Sequence, residues 1–247
     1  MTQTSSRIGL EEALRDLADR EGADFFGVAD LSSARRAIVE QGGAPLAEYP
    51  RALSIGLVLP HAIVDQLPGE SGGDAQRSYR HHAYDVINQR LDLIASRLSA
   101  YLQKRGYRTL PVPASLTLDK ERLTGLFSNK MAAHLAGLGW IGKSCLLITP
   151  QAGPRARWAS VLTDAPLEPT GEPMAERCGD CDECVRVCPP GAFTGRPYRD
   201  DEHRDLRFQV HKCQEYVDER ERELGVPVCG LCLYVCPHGR RAAGAEV

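Results

Sequence analysis

The spacing of apolar residues predicts alternating helices and strands along the first two thirds of the 247-residue chain. Leucines recur at helical intervals in residues 9–21. The apolar run DFFGVADL predicts a strand, and the continuous run RALSIGLVLP predicts a buried strand. A second helix is expected between those runs, near residues 32–41, and a loop is expected at residues 68–74.

The longest predicted helix covers residues 79–105, and Gly106 ends it. Its apolar side chains recur on one face, which we expect to be buried. The members of this stripe are Ile87, Leu91, Ile94, Leu98 and Tyr101.

Further along the chain, YRTLPVPAS predicts an extended segment and Asn129–Ala136 a short helix closed by Gly137. The runs SCLLITP and RWASVLT predict two strands. This mixture of helices and strands, without repeats, favours a layered α+β or α/β domain.

A change of domain is expected near PLEPTGEPMAER, where prolines and a glycine interrupt regular structure. Residues 1–168 then form one domain and residues 169–247 a second. Eight of the nine cysteines lie between Cys178 and Cys236, in the second domain.

Composition narrows the class of protein. The hydrophobic fraction of 43% and the charged fraction of 26% are ordinary for a globular protein. Because no long apolar run or signal peptide is found, we expect a cytoplasmic location and no membrane. A net charge of -3 gives no general surface for nucleic acid, although local contact with RNA stays open. Nine cysteines in a reducing compartment indicate metal ligands rather than disulfides.

The cysteine spacing carries the strongest chemical signal. One run follows C-x2-C-x2-C-x3-C-P, as in bacterial ferredoxins, where three thiolates bind one [4Fe–4S] cluster and the fourth binds another. A second run follows C-x2-C-x3-C-P, and Cys213, in the predicted helix VHKCQEYVDERERELG, brings the number of thiolates to the eight that two clusters need. The first run contains Cys178, Cys181, Cys184 and Cys188, and the second contains Cys229, Cys232 and Cys236.

The crossed ligand rule divides these thiolates between two clusters. One predicted set is Cys178, Cys181, Cys184 and Cys236, and the other is Cys188, Cys213, Cys229 and Cys232. A pair of zinc sites is the alternative, but zinc sites pair two C-x2-C knuckles and do not need a third cysteine followed by C-P. The lone Cys145 lies in an apolar run and is expected to be a small core residue.

The segment GLGWIGK, residues 137–143, precedes the cysteine region and combines three glycines with a tryptophan. Such glycines allow the backbone to approach a flat or bulky partner, although a tight helix-to-strand turn also explains them. The order G-x-G-x-x-G is absent, so the segment is not a nucleotide fingerprint. Because an electron carrier alone would not need so large a first domain, we expect that domain to hold the electron acceptor.

The chain resembles the epoxyqueuosine reductase-like family. The resemblance rests on AGLGWIGKSCLLITP, VLTDAPLEP, the two cysteine runs and the lone cysteine between them. It implies a nitroreductase-like α/β sandwich that binds a corrinoid, followed by a bacterial ferredoxin-like domain with two [4Fe–4S] clusters. It also implies an oxidoreductase that passes single electrons to cobalamin, as in the reduction of epoxyqueuosine to queuosine in tRNA. Reductive dehalogenases resemble the same arrangement.

The resemblance implies roles for individual residues and partners. Lys143 and Ser144 are expected to face the corrin or its side-chain amides, with Trp140 packing the wall and Gly142 in the same site. The implied electron donor is a protein such as ferredoxin or flavodoxin. The implied substrate is tRNA or a small molecule.

Two features depart from the family pattern, and the first concerns the catalytic acid. Counting back seventeen residues from Trp140, the family interval, reaches Leu123, which cannot donate a proton. Asp119 is the nearby candidate acid, although it also suits a cap for the segment that follows. Other titratable candidates are His134, His81, His82, Tyr79 and Tyr84. Of these, the adjacent His81 and His82 also suit a solvent-facing helix start.

The second departure lies after the last C-P, where the tRNA-acting members of the family continue into a helical repeat domain. Here only HGRRAAGAEV follows, and Arg240 and Arg241 form a weak basic patch. A compact relative acting on a small molecule is therefore a further possibility. The alternative function is an electron-transfer or corrinoid-reducing activase protein without its own cobalamin.

Overall fold

The computed structural model describes residues 2–69, 73–242 and 244. In chain order its helices and strands are α1 (Thr2–Arg20), β1 (Phe25–Asp30), α2 (Arg35–Gly42), β2 (Arg51–Val58), α3 (His61–Asp65), α4 (Asp74–Arg80), α5 (Ile87–Gln103), β3 (Thr109–Val112), α6 (Asn129–Leu135), β4 (Trp140–Ile141), β5 (Leu147–Ile148), β6 (Ala156–Thr163), α7 (Glu183–Arg186), α8 (Val210–Leu224), α9 (Leu231–Tyr234) and α10 (Pro237–Ala242). The fold is therefore a mixture of helix and sheet, as predicted.

The chain divides into two compact units, and neither unit is continuous in sequence. The first unit consists of Met1–Leu57, Asn88–Leu138 and Arg157–Met174. The second, which we call the cysteine unit, consists of Val58–Ile87, Gly139–Ala156 and Ala175–Val247. The division predicted at residue 168 stays a prediction, since compactness groups two earlier segments with the cysteine region.

The first unit is built on a four-stranded sheet in the order β1-β2-β6-β3. β1 is antiparallel to β2, with Phe25 opposite Gly56, and β3 is antiparallel to β6, with Thr109 opposite Thr163. Residues are buried in unbroken runs along β1, β2 and β6. For β2 the continuous apolar run RALSIGLVLP predicts this burial, because both faces of such a strand are covered.

The stripe predicted on the long helix is buried in the structure. Ile87, Leu91, Ile94 and Leu98 are at most 2% exposed, whereas Tyr101 is half-buried. Helical backbone begins at Asp74 and includes a π-helical turn, His81–Val86, before α5. Local periodicity does not predict such a turn, since it changes the hydrogen-bond register without changing which residues are apolar.

Several predicted boundaries differ from the structure. The first helix begins at Thr2 rather than at residue 9, and the second begins at Arg35. YRTLPVPAS contains the short strand β3, and RWASVLT lies within β6. Of the predicted loop at residues 68–74, residues 70–72 lie outside the described part of the chain.

The strand predicted in SCLLITP is wrong in extent. Only Leu147 and Ile148 are in a strand, and they pair with β4 in a hairpin. The hairpin needs a tight turn, in which the N–H of Gly142 donates to the Leu146 carbonyl at 3.0 Å and Cys145 adopts a φ of 54°. Cys145 is 5% exposed, so its predicted burial is right although it lies in a turn.

None of the helices in the described part of the chain combines the length and the apolar character that a bilayer crossing needs.

Candidate functional site

Four of the predicted ligand thiols line one cavity of about 220 Å³ in the cysteine unit. Cys178 and Cys181 lie on a turn in which the Cys181 N–H donates to the Cys178 carbonyl at 2.9 Å. Cys184 lies in α7, and Cys236 immediately precedes α10. These four are the ligands predicted for one cluster; that they bind iron stays a prediction.

The other four predicted ligand thiols are also electrostatic neighbours of one another. The Cys213 thiol, in the first turn of α8, interacts with those of Cys188 and Cys229. The Cys232 thiol, in α9, interacts with all three and, to a smaller extent, with Cys184 of the first set. The N–H of Ala192 donates to the Cys188 sulfur at 3.3 Å. The structure thus contains a second four-thiol set.

Burial raises the pKa of thiols in both sets. It raises the pKa of Cys178 to about 11, that of Cys184 to about 12 and that of Cys213 to about 11. It also raises the pKa of Cys229, Cys232 and Cys236. Because iron binds the thiolate, cluster assembly must displace protons from these sulfurs.

Neither thiol set brings three ligands to a single point. Within the described residues, no three His, Cys, Asp or Glu side chains converge on a point as the ligands of one metal ion do. The four thiolates of a cubane bind four different iron atoms. They therefore surround a cluster that is larger than a single metal ion. None of the nine cysteines, all of which are described, forms a disulfide.

Lys143 ties the β4–β5 hairpin to the ligand loop, Cys178–Cys181. Its Nζ donates to the Gly179 carbonyl at 2.7 Å and to the Cys181 carbonyl at 3.1 Å. Its backbone N–H also bonds to the Cys178 sulfur, which opposes the larger effect of burial on the pKa of that thiol. A cation and an N–H donor of one residue therefore stabilise the first ligand turn.

Gly142 and Trp140 pack against the same loop. A Cβ at Gly142 would lie 2.3 Å from Ile148 Cδ1 and 3.2 Å from the Cys178 sulfur, so only glycine fits without movement. Trp140 is 1% exposed, and its ring meets the His238 ring edge-on with centroids 4.9 Å apart. The indole N–H has no hydrogen bond of good geometry, yet it lies close enough to oppose the pKa rise of Cys178.

Of the residues predicted to contact a corrin, Lys143 and Ser144 line the four-thiol cavity. Lys143, Gly142 and Trp140 all contact the ligand loop. These residues therefore adjoin the predicted cluster site. A cavity of about 220 Å³ is too small for a corrin ring, since even ordinary small-molecule pockets exceed about 300 Å³. The predicted corrin contacts stay predictions.

Asp119 lies in the first unit and caps its own turn. Its Oδ1 accepts the N–H groups of Glu121 at 2.9 Å and Arg122 at 2.8 Å, and its backbone pairs with Thr124. Leu123, within this turn, has a φ of 49°. This is the geometry of a residue that caps the segment after it, which was the alternative role for Asp119. The catalytic role of Asp119 stays a prediction.

The other titratable candidates occupy varied environments. His81 is exposed and 3.5 Å from the Asp85 carboxylate, whereas His134 is buried in α6. Tyr79 is buried with its ring edge-on to Tyr84. His82 is half-buried. Among the described residues, none of these candidates lines the four-thiol cavity.

The sequence patterns did not single out Arg155, which is 0% exposed in the cysteine unit. Its charge acts on the Cys236 thiol. No local signal marks it, because neither its burial nor its distant partners follow from spacing.

Residues 177–239 match the family model described as a 4Fe-4S double cluster binding domain. The region contains all eight cysteines of the two thiol sets. The class of protein defined by the fold and this site is therefore an iron–sulfur protein with a double-cluster domain.

Curated and solved proteins are similar to this chain over most of its length. The epoxyqueuosine reductase of Listeria monocytogenes is 33% identical over 192 residues, which cover 76% of this chain and 47% of that protein. A solved epoxyqueuosine reductase with an epoxyqueuosine-modified tRNA-Tyr stem loop is similar in structure, with a TM-score of 0.64 at 22% identity over 94% of this chain and 66% of the other. A solved reductive dehalogenase, whose structure suggests a mechanism for B12-dependent dehalogenation, has a TM-score of 0.66 at 21% identity over 94% of this chain and 33% of the other. The chain is thus similar in sequence to epoxyqueuosine reductases, and it shares its fold with them and with reductive dehalogenases.

The chain spans about half the length of the curated relative from Listeria monocytogenes. The two structural matches, both below 25% identity, show the shared fold.

Proposed function

We propose that the protein is an iron–sulfur oxidoreductase in which two [4Fe–4S] clusters pass electrons to a bound cobalamin for reductive cleavage of a substrate. The observation that carries this proposal is the division of eight thiols into two sets of four within one compact unit. The first cluster would be held by Cys178, Cys181, Cys184 and Cys236, and the second by Cys188, Cys213, Cys229 and Cys232.

The residues around the first set suit a cluster. Lys143 Nζ and its backbone N–H donate to the ligand loop and to a ligand sulfur, which favours the thiolate that iron requires. The partial burial of these thiols would limit the contact of a bound cluster with water, and exposure to water is one of the factors that set a cluster's potential. This chain's own contribution is thus to bind the iron, orient the ligand loop and exclude water.

The electron acceptor that we propose is cobalamin, in a first domain of nitroreductase-like fold. The support is the likeness in fold to the B12-dependent dehalogenase structure and the family of the chain. When bound, cobalamin would supply the low-valent cobalt chemistry of reductive bond cleavage, while the protein supplies orientation and a proton. Asp119 is the proposed proton donor.

The substrate that we propose is epoxyqueuosine in tRNA, with a ferredoxin or flavodoxin as electron donor and a cytoplasmic location. The family supports the substrate, and a small molecule of related chemistry is the other candidate. Reduction of the epoxide needs two electrons and two protons and leaves an alkene and water, so two single-electron transfers from the clusters balance the reaction.

A second candidate function is an electron-transfer or corrinoid-reducing activase protein without its own cobalamin. Two observations favour it. Lys143, expected on the corrin, is bonded to the ligand loop, and the Asp119 carboxylate is engaged in its own turn. Both residues would then have only structural roles.

Anaerobic purification with cobalamin separates the two functions. Iron, sulfide and corrinoid retained in stoichiometric amounts, together with loss of epoxide from an epoxyqueuosine-modified stem loop under reductant, support the enzyme. Iron and sulfide without corrinoid support the activase. The matched control is Cys184→Ala, which should lose activity in either case, and zinc without iron in the wild-type protein would contradict both.

A further inference from the structure

Arg155 is a buried cation in the cysteine unit. Its side chain is 0% exposed, and its guanidinium pairs with the Asp65 carboxylate at 2.7 Å. A second nitrogen lies 3.3 Å from His61 Nδ1, and Nε has no hydrogen-bond partner in the described structure. Burial of a charge is unfavourable unless its surroundings compensate it, so this arginine needs an explanation.

The partners of Arg155 leave part of its positive charge uncompensated. The side chain of Asp65 is 41% exposed, so water screens the carboxylate while the guanidinium stays in the interior. Burial and the charge of Arg155 lower the pKa of His61, which is therefore neutral at physiological pH. His61 thus adds no second charge to the arginine.

The buried side of the guanidinium lies against the chain that follows Cys236. A Cβ at Gly239 would be only 3.0 Å from Arg155 Nε and 3.2 Å from Arg155 Cγ. The N–H of Gly239 donates to the Cys236 carbonyl at 3.0 Å, so the arginine lies under the turn that carries this thiol. Burial raises the pKa of Cys236. The backbone N–H groups of His238 and Gly239 oppose that rise, and the charge of Arg155 opposes it to a smaller extent.

We propose that Arg155 is a fixed counter-charge that raises the reduction potential of the cluster held by Cys178, Cys181, Cys184 and Cys236. The inference rests on the cluster assignment of the proposed function. A cubane with four thiolates is an anion, and each added electron makes it more negative without a bond being formed or broken. A nearby cation in a medium of low dielectric constant therefore stabilises the reduced cluster more than the oxidised one.

The effect should be selective for one cluster. Arg155 packs against Gly239, in the turn that carries Cys236, whereas the Cys213 thiol lies with those of Cys188 and Cys229. Electrostatic interactions weaken with distance, so the second cluster should respond less.

The test is a redox titration of the full chain after anaerobic reconstitution of its clusters. Dithionite is the reductant, and mediators are present. The titration is done at about pH 8, where His61 is neutral. Electron paramagnetic resonance would follow each cluster after iron and sulfide analysis has shown that both are present. Arg155→Gln should lower one midpoint potential, and Arg155→Lys should restore most of it. Asp65→Asn, which removes the counter-ion but leaves the arginine, should raise the same potential.

Opposite shifts in Arg155→Gln and Asp65→Asn support the proposal, because a role in packing alone would not reverse sign. Unchanged potentials in both variants, or shifts in the same direction, overturn it. If Arg155→Gln does not retain the clusters, the Asp65→Asn shift decides alone: an upward shift supports the proposal and no shift overturns it. Wild-type protein without iron would instead overturn the proposed function and, with it, this inference.

Discussion

At the residue scale, Lys143 connects the hairpin to the ligand loop through bonds of 2.7 and 3.1 Å. Charge-assisted hydrogen bonds contribute about 1.5–3 kcal/mol, which partial exposure of this lysine reduces to about 1 kcal/mol. We expect Lys143→Met to lose iron to a chelator about fivefold faster than the wild type. Loss of absorbance near the cluster band under anaerobic conditions measures this rate.

Lys104→Met is the matched control, because Lys104 is exposed in the first unit. It should leave the rate unchanged. Equal rates in Lys143→Met and the wild type would show that the two hydrogen bonds do not hold the loop.

Gly142 gives a second prediction at this scale. In Gly142→Ala the new Cβ would approach Ile148 Cδ1 to 2.3 Å and the Cys178 sulfur to 3.2 Å, so the Ile148 side chain must shift and the ligand sulfur must give way by a few tenths of an ångström. Overpacking of this kind costs about 1–3 kcal/mol, and we expect less iron per chain after reconstitution. Gly9→Ala is the control, since nothing lies within 4 Å of its added carbon. Normal iron content in Gly142→Ala would rule out close packing of the hairpin on Cys178.

Sequence spacing predicted some residues of the site well and others not. The two cysteine runs were found because cluster ligands are set by short intervals that survive without tertiary information. The partners of Lys143 lie 36 and 38 residues away, and the Arg155 carboxylate partner lies 90 residues away. Such contacts depend on the path of the chain, so the GLGWIGK segment suggested close approach to a partner without naming the ligand loop.

At the element scale, α8 brings Cys213 from an isolated position in sequence to the second thiol set. Cys213→Ala should therefore yield protein with about half of the wild-type iron, because one cluster loses a ligand. Cys145→Ala is the control: Cys145 lies in the β4–β5 turn and belongs to neither set. Iron and sulfide analysis with electron paramagnetic resonance measures both, and full iron in Cys213→Ala would overturn the ligand assignment.

The same scale shows why elements were predicted unevenly. Long helices such as α5 and long strands such as β2 and β6 repeat their pattern often enough to be recognised. β4 and β5, at two residues each, are too short to show a period. Their hairpin is fixed by a turn in which Cys145 has a positive φ, an unusual conformation for a residue other than glycine.

At the scale of the whole molecule, the sheet of the first unit and residues 177–239 depend on different sources of stability. The first unit has a four-stranded sheet and an extended apolar core that includes Ile38 and Leu162. In residues 177–239, α7 and α9 have four residues each, and Val228 and Leu233 are among the few buried aliphatic side chains. We therefore expect so small a core to need bound metal to remain folded.

Removal of the clusters should therefore unfold residues 177–239 locally while the sheet of the first unit persists. In the anaerobic chelated protein, hydrogen exchange at amides of residues 177–239 should become more than about tenfold faster, because metal binding supplies their folding free energy. Amides of β1 and β2 should change by less than about twofold, since their protection comes from the sheet. Cys213→Ala should give an intermediate result, with faster exchange concentrated in α8 and α9, whose cysteines belong to the second set. Unchanged exchange across residues 177–239 after complete iron removal would mean that apolar packing, and not the metal, holds this region together.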